Sequence, residues 1–256
     1  MNLNRCSKAL LATLLVLTAA VVPAAAVSTS SEGVPDEAQV GDEVSATFTL
    51  TELYSDYESW TLHGETNLTD VTWTVRKLDQ AGNQVSQTSY DGGEFNESID
   101  IEEDTAEVEV EVVGTAPEVR NFTYEPEEQF LLAGFELLRQ GGTQQEISET
   151  RVHHFTEDSK EARQAIESAE TAIEGADGAS EAESTLSNAI EAYNNEEFGS
   201  ATTFANNAEQ QAQQAENTQN RNQLILYAVA ALLVVALLVG VVLYWRSQQD
   251  SYDKLG

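Results

Sequence analysis

The hydrophobic period of the chain changes near Asp158, and that change limits the available folds more than any other feature. Ahead of it, Val44, Ala46, Phe48 and Leu50 alternate with polar neighbours, as do Val71, Trp73 and Val75, and again Val108, Val110 and Val112. Residues two apart share one face of a strand, so each run predicts a strand with one buried face. Turn-forming residues separate the runs at Ala81-Gly82-Asn83, Asp91-Gly92-Gly93 and Gly114 to Pro117. Phe130 to Leu138 and Ile147 to Phe155 flank Gln140-Gly141-Gly142-Thr143, which predicts a closing hairpin.

Roughly seven strands in roughly 120 residues, with no helical pattern among them, predict a β-sandwich of immunoglobulin-like type. Its expected bounds are residues 37–156. Beyond them, Ala162, Ala165, Ile166, Ala169, Ala172, Ile173 and Ala176 follow the i, i+3, i+4, i+7 spacing of a helix face. Asp158 with Glu161, and Ser180 with Glu183, stand like capping boxes, and Gly178 like a stop. The second helix presents Ala182, Leu186, Ala189, Ile190 and Tyr193, and a third Ala201, Phe204, Ala205, Ala208 and Ala212. A small α-helical bundle or stalk is expected over residues 158–217.

The two ends read as targeting segments. Arg5 and Lys8 precede the apolar run ALLATLLVLTAAVV, and Ala24, Ala25 and Ala26 follow Pro23. Residues 1–26 therefore read as a signal peptide with cleavage after Ala26. From Leu224 to Trp245 no charge occurs. A helix of that length covers about 33 Å against a hydrocarbon core of about 30 Å, which predicts a transmembrane helix over residues 224–245. Tyr227, Tyr244 and Trp245 sit where aromatic rings settle at membrane interfaces. The expected topology is a single-pass type I protein of the cell membrane, with residues 246–256 as a short cytoplasmic tail. The bilayer is then a partner, and Ala236 with Gly240 offers a small-xxx-small seam for self-association through the span.

Asp and Glu number 44 against 12 Lys and Arg, for a formal net charge of −32. Such self-repulsion opposes compaction in dilute buffer, but at about 1 M salt the Debye length is about 3 Å and the penalty largely vanishes. A salt-loving setting is the simplest cause, and the excess of anionic charge disfavours nucleic acid as a partner. The single cysteine, Cys6, lies in the leader, which leaves no thiol for disulfides, thiolate metal sites or a cysteine nucleophile.

No constellation points to a catalytic residue, a cofactor or a metal. His153 and His154 are adjacent, so in a strand they face opposite ways, and His63 stands alone. The acidic cluster Asp100, Glu102, Glu103 and Asp104 lacks EF-hand spacing and reads as a solvated strand edge. Tyr54, Tyr57 and Trp60 admit two readings, a sugar-stacking platform or filling of the sandwich core, and the second is preferred. Asn67, Asn96 and Asn121 each open an N-x-[ST] sequon, all placed in the β region as candidate glycosylation sites.

The stretch NAIEAYNNEEFGSATTFANNA resembles one tetratricopeptide-type helical hairpin, through Ala189 and Ala192 before the turn and Phe198, Ala201, Ala205 and Ala208 after it. Its closing proline is absent and no second unit follows, which favours a bundle over a peptide-binding solenoid. In organisation and composition the whole chain resembles the single-pass surface proteins of halophilic archaea, whose ectodomains carry sandwich modules of the adhesion and S-layer-associated type. That resemblance implies a non-enzymatic surface glycoprotein that binds an unidentified envelope or membrane protein, or has a structural role in the envelope. The alternative is an accessory subunit of a transport, secretion or signalling complex.

Overall fold

In the computed structural model of the chain, residues 27–139, 142, 144–176 and 178–249 are described. The leader, Cys6 and the cleavage position Ala26 lie outside them, as do residues 250–256 of the expected tail. The chain divides into two units: residues 27–118 with 129–154, and residues 119–128 with everything described from Phe155 onward.

The first unit holds ten strands: β1 (Ser28–Glu32), β2 (Glu37–Gln39), β3 (Glu43–Thr51), β4 (Ser59–Glu65), β5 (Thr69–Leu78), β6 (Gln84–Asp91), β7 (Glu94–Asp100), β8 (Glu107–Thr115), β9 (Gln129–Leu138) and β10 (Gln144–Phe155). They form two five-stranded sheets, ordered β1-β3-β8-β5-β6 and β2-β10-β9-β4-β7. The described neighbour pairs are antiparallel. Both β3 to β4 and β8 to β9 pass from one sheet to the other, and β3 pairs with β8 while β4 pairs with β9. Relative to the expected seven strands, the β5–β6 hairpin widens the first sheet, and β1 begins ahead of residue 37.

The alternating residues face a common core. Phe48, Leu50, Trp73, Val75, Val108, Val110 and Val112 from the first sheet meet Leu62, Phe95, Ile99, Leu132 and Phe135 from the second. Trp73 and Phe95 rings lie 5.0 Å apart, and Phe48 meets Phe135 edge-on at 5.2 Å. Gly64 suits this packing, since a Cβ there would collide with the Phe95 ring. The inward parity of β5 continues past Val75 to Lys77, whose ammonium bonds Glu103 at 2.6 Å and Glu97 at 2.8 Å. Burial opposes the charge on Lys77, but those two carboxylates outweigh it and hold its pKa above the ordinary value.

The second unit contains α1 (Glu157–Glu174), α2 (Ser180–Asn194) and α3 (Phe198–Gln249). Caps differ from expectation. Thr156 with Ser159 forms the capping box of α1, and α2 starts after Ala179 with no side-chain cap. Gly175 ends α1 ahead of the expected Gly178. The segment Val119–Glu128 between β8 and β9 also belongs to this unit, and with it the sequon at Asn121, which was expected in the sandwich. Its Phe122 and Tyr124 pack among Ala162, Ala169, Ala189 and Ala205.

The expected membrane span is corrected by this structure: among the described residues, no helix is long and apolar enough to cross a membrane. The apolar stretch with described side chains, from Tyr227 to Val239, belongs to α3. It continues a helix whose earlier turns are polar, through Gln210, Gln213, Gln214 and Glu216. The transmembrane element of the fold, the membrane assignment and the single-pass topology with its cytoplasmic tail are withdrawn on that finding. The expected seam residues Ala236 and Gly240 lie outside the described side chains.

Candidate functional site

At one end of the sandwich three segments converge around a cleft of about 530 Å³. The β3–β4 connection supplies Glu52 to Ser55, the β5–β6 turn supplies Gln80, and the approach to β8 supplies Ile101 and Asp104 to Ala106. That volume lies within the range of small-molecule sites.

Each wall is held from below. Trp60 is buried in the core, and its Nε1 donates to the Leu53 carbonyl at 2.9 Å, which anchors the β3–β4 connection. Residues Ile101–Glu103 form a single 3₁₀ turn capped by the Asp100 side chain. The turn is tied down through the Ile101 amide, which donates to the Glu58 carbonyl at 2.9 Å, and through the Ala106 amide, which donates to the Leu78 carbonyl at 2.8 Å. Glu52 (φ 58°) and Asp104 (φ 58°) adopt left-handed backbone conformations and both line the cleft. Such conformations in residues other than glycine persist where the surroundings impose them, and they concentrate at functional sites.

Tyr54 gives its phenolic proton to the Asp100 carbonyl at 2.9 Å. Burial raises its pKa, and the neighbouring Thr105 hydroxyl opposes that rise. Thr105 is only 3% exposed, and no hydrogen bond of good geometry reaches its Oγ1. Ser55 donates to the Glu52 carbonyl at 2.8 Å. Ile101 is 48% exposed, a large apolar side chain left in water beside acidic neighbours. The closest lysine, Lys77, is committed to Glu97, Glu103 and the Ser98 carbonyl.

The residues singled out by sequence fare differently. Of the aromatic trio, Tyr54 lines the cleft, Trp60 fills the core, and Tyr57 lies under the Arg139 guanidinium at 4.0 Å. The acidic cluster is not simply a solvated edge, because Glu103 pairs with Lys77 and Asp104 lines the cleft. Among the described residues no group of three His, Cys, Asp or Glu is placed to hold a metal ion. His154 is buried, its Nδ1 3.0 Å from the Pro117 carbonyl, which places the proton on that nitrogen. His63 Nδ1 lies 3.1 Å from both the Phe95 carbonyl and Asn96 Oδ1. Asn67, Asn96 and Asn121 are all exposed, though the Asn67 Oδ1 accepts from the Leu131 amide at 3.1 Å. Sequence reading missed Glu52 and Thr105 altogether. For Ile101 a signal was present, an isoleucine set inside the acidic run DIEED.

No protein-family model matches the chain, and no curated protein matches it. Among solved structures, the sporulation control protein Spo0M from Bacillus subtilis is 13% identical at a TM-score of 0.31, over 56% of this chain and 55% of that one. A DUF4466 family protein from Parabacteroides merdae is 11% identical, also at 0.31, over 51% and 46%. A cohesin module of a Clostridium perfringens family 33 glycoside hydrolase is 18% identical at 0.25, over 52% of this chain and 99% of that module. The chain thus spans about half the length of the first two. Likenesses this distant assign neither a family nor an activity.

Proposed function

We propose that this is a non-enzymatic binding protein that works at molar salt and takes its ligand in the cleft at the end of the sandwich. The observation that carries the reading is the convergence of Glu52, Tyr54, Gln80, Ile101 and Thr105 from three separate segments on one cavity. The exposed apolar side chain of Ile101 gains from a bound molecule that covers it. The acid excess supports the salt setting, as at about 1 M salt the Debye length of about 3 Å relieves the self-repulsion of a chain carrying −32.

The test is a nuclear magnetic resonance screen of the isotope-labelled full chain at molar KCl against pools of neutral, cationic and anionic small molecules. Shifts confined to Ser55, Gln80, Ile101 and Thr105 are expected. Shifts elsewhere, or none, refute the cleft as the site. Thermal unfolding followed across KCl concentration checks the salt setting, with a transition that rises steeply toward molar salt expected. A transition that is flat or falls rejects it.

A second reading, a subunit of a larger assembly, draws on the exposed apolar residues of α3, such as Leu232, Leu233, Leu237 and Leu238. Contiguous apolar surface of this kind marks contact with other molecules. Sedimentation at molar salt tests it, a purely monomeric full chain counting against it.

A further inference from the structure

The three N-x-[ST] sequons all expose their Asn and their hydroxyl residue, yet the fold leaves them in unequal states. Such an acceptor needs two groups: the carboxamide nitrogen that takes the sugar, and the hydroxyl two residues on that defines the motif. At Asn121 that hydroxyl is committed, since Thr123 Oγ1 donates to the Pro126 carbonyl at 2.6 Å, and the intervening Phe122 is buried among the helices. At Asn67 both backbone and side chain are held by β9. Its amide donates to the Leu131 carbonyl at 2.8 Å, and its Oδ1 accepts from the Leu131 amide at 3.1 Å. Thr69 Oγ1 there reaches the Thr115 carbonyl at 3.4 Å.

Asn96 differs. It lies in the middle of β7, an outer strand of the second sheet, so one side of its backbone is open to an approaching enzyme. Strand alternation puts Asn96 and Ser98 together on the exposed face and turns Glu97 inward to Lys77 and Tyr90. The Ser98 hydroxyl donates to no protein group among the described residues, whereas its carbonyl accepts from Lys77 at 2.6 Å. On the neighbouring strand His63 stands opposite Asn96. Its Nδ1 lies 3.1 Å from the Phe95 carbonyl, which only accepts, so that nitrogen carries the proton. The Asn96 atom turned to it, also at 3.1 Å, is accordingly Oδ1, which leaves Nδ2 directed away from the ring.

We infer that Asn96 is the N-glycan acceptor of this chain, selected over Asn67 and Asn121 by the fold. The co-reactant is an activated sugar whose anomeric oxygen bears a phosphate. Asn96 Nδ2 forms a bond to the anomeric carbon, the carbon–oxygen bond to phosphate breaks, and the phosphate leaves with the electron pair and takes up one amide proton. Oδ1 is unchanged by the reaction, so the contact with His63 survives it. The donor is met on export, for which the leader-like residues 1–26 would serve. The inference is independent of the cleft.

The test is peptide mapping of the full chain, isolated from the cells that produce it naturally, with electron-transfer fragmentation that keeps glycans on their residues. A saccharide mass on the Asn96 peptide is expected, at higher occupancy than on those of Asn67 or Asn121. Asn96→Gln and Ser98→Ala, expressed in the same cells, should each abolish that mass, while Ser98→Thr, which keeps the hydroxyl, should retain it. Circular dichroism at molar KCl confirms that the variants fold. A bare Asn96 overturns the inference, whatever the state of the other two. Equal occupancy at all three rejects selection by the fold, and modification that persists in Ser98→Ala rejects the sequon as the motif recognised.

Discussion

Trp73, Phe48, Phe135 and Leu132 fill the middle of the sandwich, whereas in the helical unit Ala162, Ala169, Ala189, Ala201, Ala205 and Ala208 line the helix contacts around a few larger side chains, Ile166, Tyr193 and Phe122 among them. The spacing of the layers explains the contrast. Packed sheets stand about 10 Å apart and need large side chains to close the gap. Helices with small residues at the contact approach to the short end of their range of about 8–10 Å. Truncation is therefore the characteristic injury of the first unit and enlargement that of the second. Their few buried cations are treated alike: Lys77 pairs with Glu97 and Glu103, and Arg163 pairs with Glu128 while its Nη2 donates to the Thr123 and Tyr124 carbonyls, both at 3.1 Å.

The contrast can be broken in order of expected effect. Trp73→Ala should cost the sandwich about 3–5 kcal/mol, measured by urea denaturation, because no neighbour fills the space it leaves. A loss under about 1 kcal/mol would show that the sheets collapse onto one another. In the helical unit, Arg163→Met should cost about 3 kcal/mol by removing the cation beside the buried Glu128 carboxylate and the donor to the Thr123 and Tyr124 carbonyls. Hydrogen exchange at Val119–Glu128 reports it, and unchanged protection there would remove Arg163 as the anchor of that segment. Ala205→Leu should cost about 1–3 kcal/mol through overpacking, where adding carbons to a looser core would be neutral.

Alkaline pH separates the units more gently. Burial, reinforced by Glu97, pushes the Tyr90 phenol up to about 12 from 10.0. A group that holds its proton longer when folded contributes fully below its unfolded pKa, so this stability is lost as pH rises from 10 through about 12. Burial and then Glu170 raise Tyr124 in the helical unit in the same direction. Tyr90→Phe should flatten the alkaline loss of the sandwich alone and Tyr124→Phe that of the helices alone, read by unit-specific amide exchange. Loss unchanged in both would mean that other groups carry it. The smallest effect is a gain: Thr105→Val should stabilise the sandwich by about 1 kcal/mol by removing an unsatisfied buried hydroxyl, seen as a higher melting temperature. A lower melting temperature would mean that the hydroxyl has a structural partner.

Much of the local architecture was legible because periodicity is a local property. Val44 to Leu50 and Val71 to Val75 announce buried strand faces, and Ala162 to Ile173 a helix face, whatever surrounds them. Charge was legible in sum but not in use. The parity of β5 carries inward to Lys77, a residue type that alone argues for the surface, and only the arrival of Glu97 and Glu103 makes its burial tolerable. The apolar run after Tyr227 shows the opposite limit, since composition suggested a span that no described helix provides.

By itself, then, the sequence determined which faces are apolar, where the period changes and how acidic the surface must be. Tertiary structure alone decided that Val119–Glu128 joins the helices, through Arg163 and through Asn194, which accepts from the Tyr124 amide at 2.7 Å. It alone brought Glu52, Gln80 and Thr105 around one cleft. Residues so far apart along the chain meet only after the sheets have closed, and contacts that depend on closure leave no periodic trace in the residues that make them.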